Sequence, residues 1–363
     1  MDSLHKSVLY VSLAALLASI ALFATGMPLV AGYVLVAFFL LASFAVRGSE
    51  KFSGISFSLL IFAAVSLAMT WPSVFVRWGD FKLSTLIVPL LQIIMFGMGT
   101  AMSARDFVGV VKAPKAVFIG LVAQFTIMPF VGAALATMFD LGPEVAAGIV
   151  LIGAVPSGLA SNVMVYIAKA NLALSVTLTT LATLLAPLVT PFYMQWLAGQ
   201  FIPIDGMAMM WDIIKITILP IVAGLVFNRF LHGRTAWLDR LMPLVSMGGI
   251  VVILAIMTAG ARDNLLVVGT LLIVIALMHN FSGYLLGYWS CRLLKLDEKS
   301  CRTIAFEVGL QNAGLATGLA QTMGKMATVG LAPTVFGSLM NITGATLANW
   351  WRGRPVTGEV ARG

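Results

Sequence analysis

Charged residues are scarce in this chain of 363 residues. Asp, Glu, Lys and Arg together make up 10% of the sequence, whereas 60% of the residues are hydrophobic. Soluble domains carry about 25% charged residues. The composition therefore excludes a soluble fold, and it also excludes a disordered chain and a solvent-facing nucleic-acid-binding domain. We predict an all-α polytopic protein embedded in the lipid bilayer.

Cysteine and histidine are rare as well. The two cysteines, Cys291 and Cys301, flank one short charged segment and cannot build a disulfide framework, so we interpret them as reduced thiols. With three histidines in the whole chain, nothing supplies the His and Cys cluster of a zinc site.

The motifs of membrane hydrolases and ATPases are also missing. The chain has no H-E-x-x-H and no G-x-S-x-G. The glycine-rich stretch at 318–326 has five residues between its glycines and lacks the Ser or Thr of a P-loop. We therefore do not expect an enzyme, and we do not expect transport driven by ATP.

Apolar runs of helical length, bounded by charges or by Pro and Gly, predict about twelve transmembrane helices. They lie near residues 7–26, 28–46, 54–71, 84–102, 114–138, 145–168, 172–198, 211–228, 241–260, 265–290, 303–322 and 330–350. A signal peptide is the alternative for the first run, but no clear cleavage site follows it.

The basic residues indicate how the chain is oriented. With both termini in the cytoplasm, all Lys and Arg residues fall on the inner side except Arg77, Lys82, Lys215, Arg262 and Lys325. This asymmetry is typical of membrane insertion. We expect a multi-pass protein of the inner membrane with both termini in the cytoplasm.

The two halves of the chain are similar at a nearly constant offset. Three features recur in the same order: Pro89 and Pro243, Gln124 and Asn280, and the Pro- and Gly-rich stretches 155–162 and 307–314. Chance echoes in a hydrophobic chain are the alternative. Five passes in each copy would place the second copy upside down in the membrane, which is the plan of many secondary transporters.

These observations predict the division of the chain. The transporter unit at 51–352 would contain two inverted five-helix repeats, at 54–198 and 211–350, each with one broken helix. An extra N-terminal transmembrane hairpin would occupy residues 1–50, and a cytoplasmic tail would occupy residues 353–363.

Glu307 is the one acidic residue that lies well inside a predicted span. An ionised carboxylate at that depth raises the free energy strongly unless a cation or a donor compensates it. No Lys or Arg is predicted at that depth, so we expect a bound ion or a proton. A protonated glutamate that only hydrogen-bonds neighbouring helices is the alternative.

Polar residues of the broken stretches are expected around Glu307. Proline and glycine favour unwinding, which frees carbonyl oxygens, and with Asn, Gln and Ser oxygens these form a ligand set that suits Na⁺. The candidates are Ser157, Gly158, Ser161, Asn162, Gln311 and Asn312. Ser175 and Thr179 share one helical face, although membrane threonines usually bond to their own helix. His279 and Asn280 lie deep in a span, where His279 lines a substrate path or packs in the core.

Four stretches, taken in order, carry a resemblance to a known family. They are GLVAQFTIMP at 120–129, ASNVMVYIAKANLALS at 160–175, HNFSGYLLG at 279–287 and EVGLQNAGLA at 307–316. With these stretches the chain resembles bacterial members of the bile acid:sodium symporter family. The resemblance implies ten helices in two inverted repeats, arranged as a panel and a core subdomain, with two broken helices that cross in the core.

The resemblance also implies two Na⁺ sites that share Glu307. The first site would be formed by Ser161, Asn162, Ser175, Thr179 and Glu307. The second would be formed by Gln124, Glu307, Gln311 and the backbone carbonyls of Val308 and Leu310. Relatives often have His-Asn where this chain has Met340 and Asn341, so the polar contacts with the substrate are expected to differ.

The expected function is sodium-coupled import of an organic anion by alternating access. The anion would be bile-acid-like or a small carboxylate such as a pantoate-like acid, and we expect a monomer that does not bind nucleic acid. The candidate substrate contacts are Ser157, Gly158, Asn162, His279, Asn280, Asn312 and Asn341. A transporter of similar architecture that exports an anion or a metalloid is the main alternative, although its expected thiol near the broken helix is not found. A membrane sensor that transports nothing is a second alternative.

Overall fold

The computed structural model describes residues 3–49, 52–102, 113–231, 236–354 and 356. The predicted tail at 353–363 lies outside these residues apart from 353, 354 and 356. The α-helices in chain order are α1 (Ser3–Ala24), α2 (Pro28–Arg47), α3 (Ser56–Thr70), α4 (Ser73–Val76), α5 (Ile87–Ala101), α6 (Pro114–Met138), α7 (Pro143–Ala154), α8 (Leu159–Ile167), α9 (Leu172–Tyr193), α10 (Gly206–Ile213), α11 (Leu219–Leu231), α12 (Ala236–Gly260), α13 (Arg262–Leu293), α14 (Glu298–Gly309), α15 (Ala313–Thr322) and α16 (Leu331–Arg352).

Short irregular segments connect or extend these helices. Two 3₁₀ turns at Ser53–Ile55 and Leu83–Leu86 lead into α3 and α5. Two π-helical segments, Met194–Ala198 and Ile214–Ile218, extend α9 and join α10 to α11. One departure from a purely helical fold is a small antiparallel hairpin of β1 (Arg77–Trp78) and β2 (Phe81–Lys82), which turns at Gly79 with φ +57°. A positive φ favours glycine at this position.

Seven described helical stretches are long and apolar enough to cross a membrane. They are Ser3–Ala24, Pro28–Arg47, Leu83–Ala101, Pro114–Met138, Leu172–Ala198, Gly206–Phe230 and Arg262–Leu293. The other predicted spans also coincide with helices, but these are shorter, broken or less apolar. The polytopic helical architecture is confirmed, whereas the count of twelve crossings stays a prediction.

Both predicted broken segments are interrupted in the structure. The span predicted at 145–168 consists of α7 and α8, which are separated by Val155–Gly158, and the span predicted at 303–322 consists of α14 and α15, which are separated by 310–312. Helix α8 begins immediately after Gly158, which has an extended backbone, and helix α15 begins immediately after Asn312, which has an irregular backbone. The Asn312 side chain accepts a hydrogen bond of 2.9 Å from the Leu315 amide, which fixes the start of α15.

The helices of the main body pack in two groups. In the first group, α5 packs on α11 and α12, and α12 also packs on α3. In the second group, α13 packs on α6, α14 and α16, while α7, α8 and α9 complete the bundle. The contacts between the groups are fewer and involve mainly α9 with α10 and α15 with α5. Whether these groups are the predicted subdomains, and whether the halves are inverted repeats, stay predictions.

The first two helices form a hairpin beside the first group. Helix α1 packs on α2, and α2 packs on α3. The hydroxyl of Ser19 is buried in this hairpin and donates a 2.8 Å hydrogen bond to the Ala31 carbonyl, while large apolar side chains of α1 such as Leu17 are exposed. This pattern is typical of a helix whose outer face contacts lipid.

Candidate functional site

The two broken helices are joined by backbone hydrogen bonds where they are interrupted. Ser157 and Gln311 stand opposite each other as an antiparallel bridge. The Gly158 N–H donates to the Leu310 carbonyl at 3.1 Å, and the Asn312 N–H donates to the Pro156 carbonyl at 2.8 Å. The polar groups that each helix frees by unwinding therefore satisfy those of the other helix.

We call the paired stretches 155–158 and 310–312 the crossing. Glu307 lies beside it, in the last turn of α14, and is 1% exposed. Three hydroxyl groups donate to its carboxylate. Ser175 reaches Oε1 at 2.5 Å, and Ser157 and Thr179 reach Oε2 at 2.7 Å and 2.8 Å. These donors come from the break after α7 and from α9, so three separate segments converge on one buried carboxylate.

With Glu307 ionised, the oxygen–oxygen contacts of this cluster outnumber its protons. The Asn162 Oδ1 atom lies 2.7 Å from the Ser175 hydroxyl and 3.3 Å from the Thr179 hydroxyl, which both also contact Glu307. With the contact from Ser157, five oxygen–oxygen contacts share the three protons of three hydroxyl groups. Oxygen atoms in contact without a proton repel each other, and a hard cation among them removes that repulsion.

The structure brings together all five residues predicted for the first sodium site. Ser161 completes the set, because its hydroxyl lies 3.4 Å from that of Thr179 while it donates to the Gly158 carbonyl at 2.8 Å. Within the described residues, the group holds one carboxylate, one amide oxygen and hydroxyl groups. This donor set fits Na⁺, which binds hard oxygen ligands.

Three of the residues predicted for the second sodium site, Gln124, Gln311 and Val308, are joined by hydrogen bonds, whereas the hydrogen bonds of Glu307 go to the hydroxyl groups of the first site. The Gln124 Nε2 atom donates to Gln311 Oε1 at 2.9 Å, and Gln311 Nε2 donates to the Val308 carbonyl at 2.6 Å. Gln124 Oε1 is buried and has no hydrogen-bond partner among the described residues. A buried acceptor without a donor is unfavourable, and a cation would satisfy it. The Leu310 carbonyl, already bonded to the Gly158 N–H, retains a second lone pair.

Two helix N-termini point toward the crossing. Helix α8 begins immediately after Gly158, and helix α15 begins immediately after Asn312, and these two residues belong to the paired breaks. The N-terminal end of a helix carries a partial positive charge and free N–H groups. The crossing therefore presents hydrogen-bond donors that favour an anionic group.

Two predicted substrate residues, His279 and Asn280, contact the backbone of helices next to the crossing. The His279 Nε2 atom lies 3.3 Å from the Met128 carbonyl, and its ring packs on Phe336 at 5.1 Å, so this histidine belongs to the packed core. The Asn280 amide donates to the Gly309 carbonyl at 2.5 Å, at the end of α14.

Sequence reasoning missed two residues of this supporting network. The Thr343 hydroxyl donates to the Asn280 side-chain oxygen, and the Tyr284 hydroxyl lies 3.1 Å from that of Thr343. Asn280 and Tyr284 are four residues apart on α13, and this helical spacing is the signal that predicts a shared face. The side chain of Asn341 instead donates to the Gly337 carbonyl of its own helix at 2.7 Å.

The surroundings of the crossing differ at its two ends. Helix α15 packs closely on the first helix group, because a Cβ atom at Gly318 would lie 2.6 Å from Leu91 and 3.5 Å from Ile216. Helix α8 packs on α9, α14 and α16 of its own group instead, and its Tyr166 side chain is 71% exposed. Among the described residues, the first helix group therefore covers the α15 side of the crossing more closely than the α8 side.

Comparisons with known proteins show similarity to sodium-dependent transporters. A family model described as the Sodium Bile acid symporter family matches residues 88–268. The chain is 39% identical over 307 residues to the uncharacterized sodium-dependent transporter YocS of Bacillus subtilis, a match that covers 84% of this chain and 94% of the relative.

Two eukaryotic proteins are similar over shorter regions. The probable sodium/metabolite cotransporter BASS1 of Arabidopsis thaliana chloroplasts is 33% identical over 264 residues, which cover 72% of this chain and 65% of that protein. The human ileal sodium/bile acid cotransporter is 29% identical over 244 residues, which cover 66% of this chain and 70% of that protein.

Proposed function

The chain belongs to the sodium bile acid symporter family, and on this premise we propose that it is a sodium-coupled symporter that imports an organic anion by alternating access. Members of the family are transporters and not enzymes. The observation that carries the proposal is the oxygen cluster around Glu307, where three hydroxyl protons serve five oxygen contacts.

The coupled ion is Na⁺ at two sites that share Glu307. The cluster around Ser175 and Thr179 supports the first site, and the unpartnered Gln124 Oε1 atom supports the second. At the second site the Val308 carbonyl accepts a hydrogen bond from the Gln311 amide and retains a second lone pair for a bound ion.

The transported solute carries a negative charge. The crossing combines two helix N-termini with the side chain of Asn312, which uses its oxygen to cap α15 and leaves its amide N–H groups for a ligand. Glu307 is the acidic side chain at the crossing, and its oxygens face the hydroxyl cluster. Hydrogen-bond donors and partial positive charge at this point would stabilise a carboxylate or sulfonate group, whereas they would repel a cation.

Coupling follows from the shared geometry of ion and solute. Ser157 donates to Glu307 and lies next to Gly158, where α8 begins, so ordering the carboxylate also orders a helix N-terminus. Sodium would favour the arrangement that binds the anion, and the anion would favour sodium binding by the same factor. Two Na⁺ with one monovalent anion would carry one net positive charge inward, worth about 2.3 kcal/mol per 100 mV.

Alternating access would move the two helix groups against each other. One end of the crossing is covered where Gly318 of α15 packs on Leu91, and the opposite end, around α8, has no comparable cover from the first group in the described residues. An importer would exchange these two arrangements. We place the protein in the bacterial inner membrane as a monomer with both termini in the cytoplasm.

Export of a metalloid is not favoured. An exporter of thiophilic metalloids would place a thiol at the site. Cys291 and Cys301 are fully buried near the junction of α13 and α14, and neither thiol is bonded to a residue of the crossing.

The test is uptake of radiolabelled pantoate and cholate by proteoliposomes under an inward Na⁺ gradient, with choline replacing Na⁺ in the reference. We expect uptake of at least one of the two anions with Na⁺ and none with choline. Glu307→Gln, which removes the charge but keeps the size of the side chain, is expected to abolish this uptake. Glu144→Gln is the control, because Glu144 pairs with Lys325 away from the crossing. Equal uptake in Na⁺ and choline would refute the proposal.

A further inference from the structure

Four aromatic side chains form a continuous row across the ends of α13 and α16. The ring centroids of Tyr288 and Trp289 are 5.8 Å apart, those of Tyr288 and Trp351 are 6.0 Å apart, and those of Trp351 and Trp350 are 6.2 Å apart. The two outer members, Trp289 and Trp350, are 51% and 50% exposed. We call these four residues the aromatic row.

Arginine side chains surround the row. The guanidinium carbon of Arg354 lies 4.1 Å from the centre of the Trp350 ring, and that of Arg302 lies 5.6 Å from the Trp351 ring. Arg292, in the last turn of α13, has a half-exposed side chain. A guanidinium group that lies over a ring keeps its N–H edge available for a planar anionic partner.

In the residues that the structure describes, one acidic side chain, Glu298, contacts arginines beside the aromatic row. Glu298 accepts hydrogen bonds from Arg302 at 2.8 Å and from the Tyr288 hydroxyl at 2.7 Å, and it lies 3.8 Å from Arg292. In the described part of the chain, no acidic side chain contacts Arg354. One carboxylate therefore serves two arginines, and the charge of Arg354 is not compensated by an acidic side chain of the described residues.

The row lies where a membrane-spanning helix ends. Helix α13 is one of the candidate spans, and Tyr288, Trp289 and Arg292 occupy its C-terminal end. Tryptophan and tyrosine rings prefer the level of the lipid headgroups. The anions that are abundant at this level are lipid phosphates.

We propose that Arg292, Arg354 and the aromatic row bind the headgroup of an anionic glycerophospholipid. The guanidinium edges would donate paired N–H groups to phosphate oxygens, and the half-exposed rings of Trp289 and Trp350 would pack on the glycerol and the upper acyl chains. Basic pockets between transmembrane helices are typical sites for such headgroups.

A bound headgroup would stabilise the helix that carries Glu307. The Arg302 side chain donates to the backbone oxygens of Trp351 at 3.2 Å and Arg354 at 2.9 Å, so it ties the end of α16 to α14. Fixing Arg354 on a lipid phosphate would hold this junction. Because the bond from Arg302 uses the backbone oxygen of Arg354, substitution of the Arg354 side chain leaves it intact.

The experiment is native mass spectrometry of the full chain with equimolar phosphatidylglycerol and phosphatidylcholine. We expect selective retention of phosphatidylglycerol and a loss of about fivefold in its affinity for Arg354→Gln or Arg292→Gln, since each basic residue contributes about 1 kcal/mol. Trp350→Leu, which keeps an apolar side chain but removes the ring, is expected to weaken binding as well.

Arg77→Gln is the matched control, because Arg77 is also exposed beside an exposed tryptophan, Trp78, but lies in the β1–β2 hairpin. Equal retention of both lipids, or an equal loss in Arg77→Gln and Arg354→Gln, would overturn the proposal. Inorganic phosphate is added in a separate arm, and displacement of the lipid at millimolar phosphate would overturn the assignment to a lipid. Thermal unfolding of each variant in detergent without added lipid checks that the variants fold.

Discussion

Ser157 and Glu307 belong to different broken helices and are joined by a hydrogen bond of 2.7 Å from the serine hydroxyl to Glu307 Oε2. This bond connects the break after α7 with the carboxylate at the end of α14. Any ligand that changes the position of Glu307 therefore also changes the start of α8, which follows Ser157 by two residues.

The Ser175 hydroxyl is expected to contribute directly to sodium affinity. Ser175→Ala removes an oxygen that lies 2.5 Å from Glu307, and we expect the sodium Kd to rise about tenfold, which corresponds to about 1.4 kcal/mol. The measurement is sodium-dependent thermal stabilisation of the purified protein. Thr177→Ala is the control, because Thr177 is buried on the same helix but bonds to the Ala173 carbonyl. Equal losses in both variants would contradict the assignment.

Gln124 tests whether there is a second ion. Gln124→Leu removes the unpartnered Oε1 atom and its amide while leaving the cluster around Ser175 unchanged. We expect the Hill coefficient of sodium-dependent uptake to fall from about two to about one. Uptake rates over a series of Na⁺ concentrations measure this change, and an unaltered Hill coefficient would show that Gln124 does not serve a coupled ion.

Asn312 separates anion binding from sodium binding. Asn312→Asp keeps the oxygen that caps α15 but adds a negative charge at the crossing. We expect anion uptake to fall more than tenfold, because like charges repel, whereas sodium still stabilises the protein against thermal unfolding. Asn312→Ser, a neutral cap, serves as the control and is expected to retain more uptake than the aspartate variant. Unchanged uptake in Asn312→Asp would place the anion elsewhere.

Gly283 tests how closely α13 packs on the end of α14. A Cβ atom at Gly283 would lie 2.7 Å from the Gly309 Cα atom and 2.8 Å from the Met128 sulfur, so Gly283→Ala must displace the end of α14. We expect a loss of about 1–3 kcal/mol in the free energy of unfolding. Gly248→Ala is the matched control, because no atom lies within 4 Å of its added methyl group. A similar unfolding temperature for both variants in detergent would contradict this packing.

The polar character of the site could be predicted from the sequence, but its internal contacts could not. Glu307, Gln311 and Asn162 stand out because polar residues are rare in apolar spans. His279 stands out for the same reason, yet the structure places it against Met128, where it packs in the core. A histidine in a core and one in a substrate path look alike in sequence, because both lie in an apolar helix.

The sequence by itself determined that the protein is embedded in a membrane, where most helices begin and end, and where two of them are interrupted. These properties depend on composition and on short-range patterns of apolar residues, Pro and Gly, which act along a single helix. Only the tertiary structure decided that Ser175 and Ser157 share the carboxylate of Glu307, and that Arg302 ties α14 to the end of α16. Such contacts join residues far apart in the chain, and they form only when particular helices cross at a particular depth.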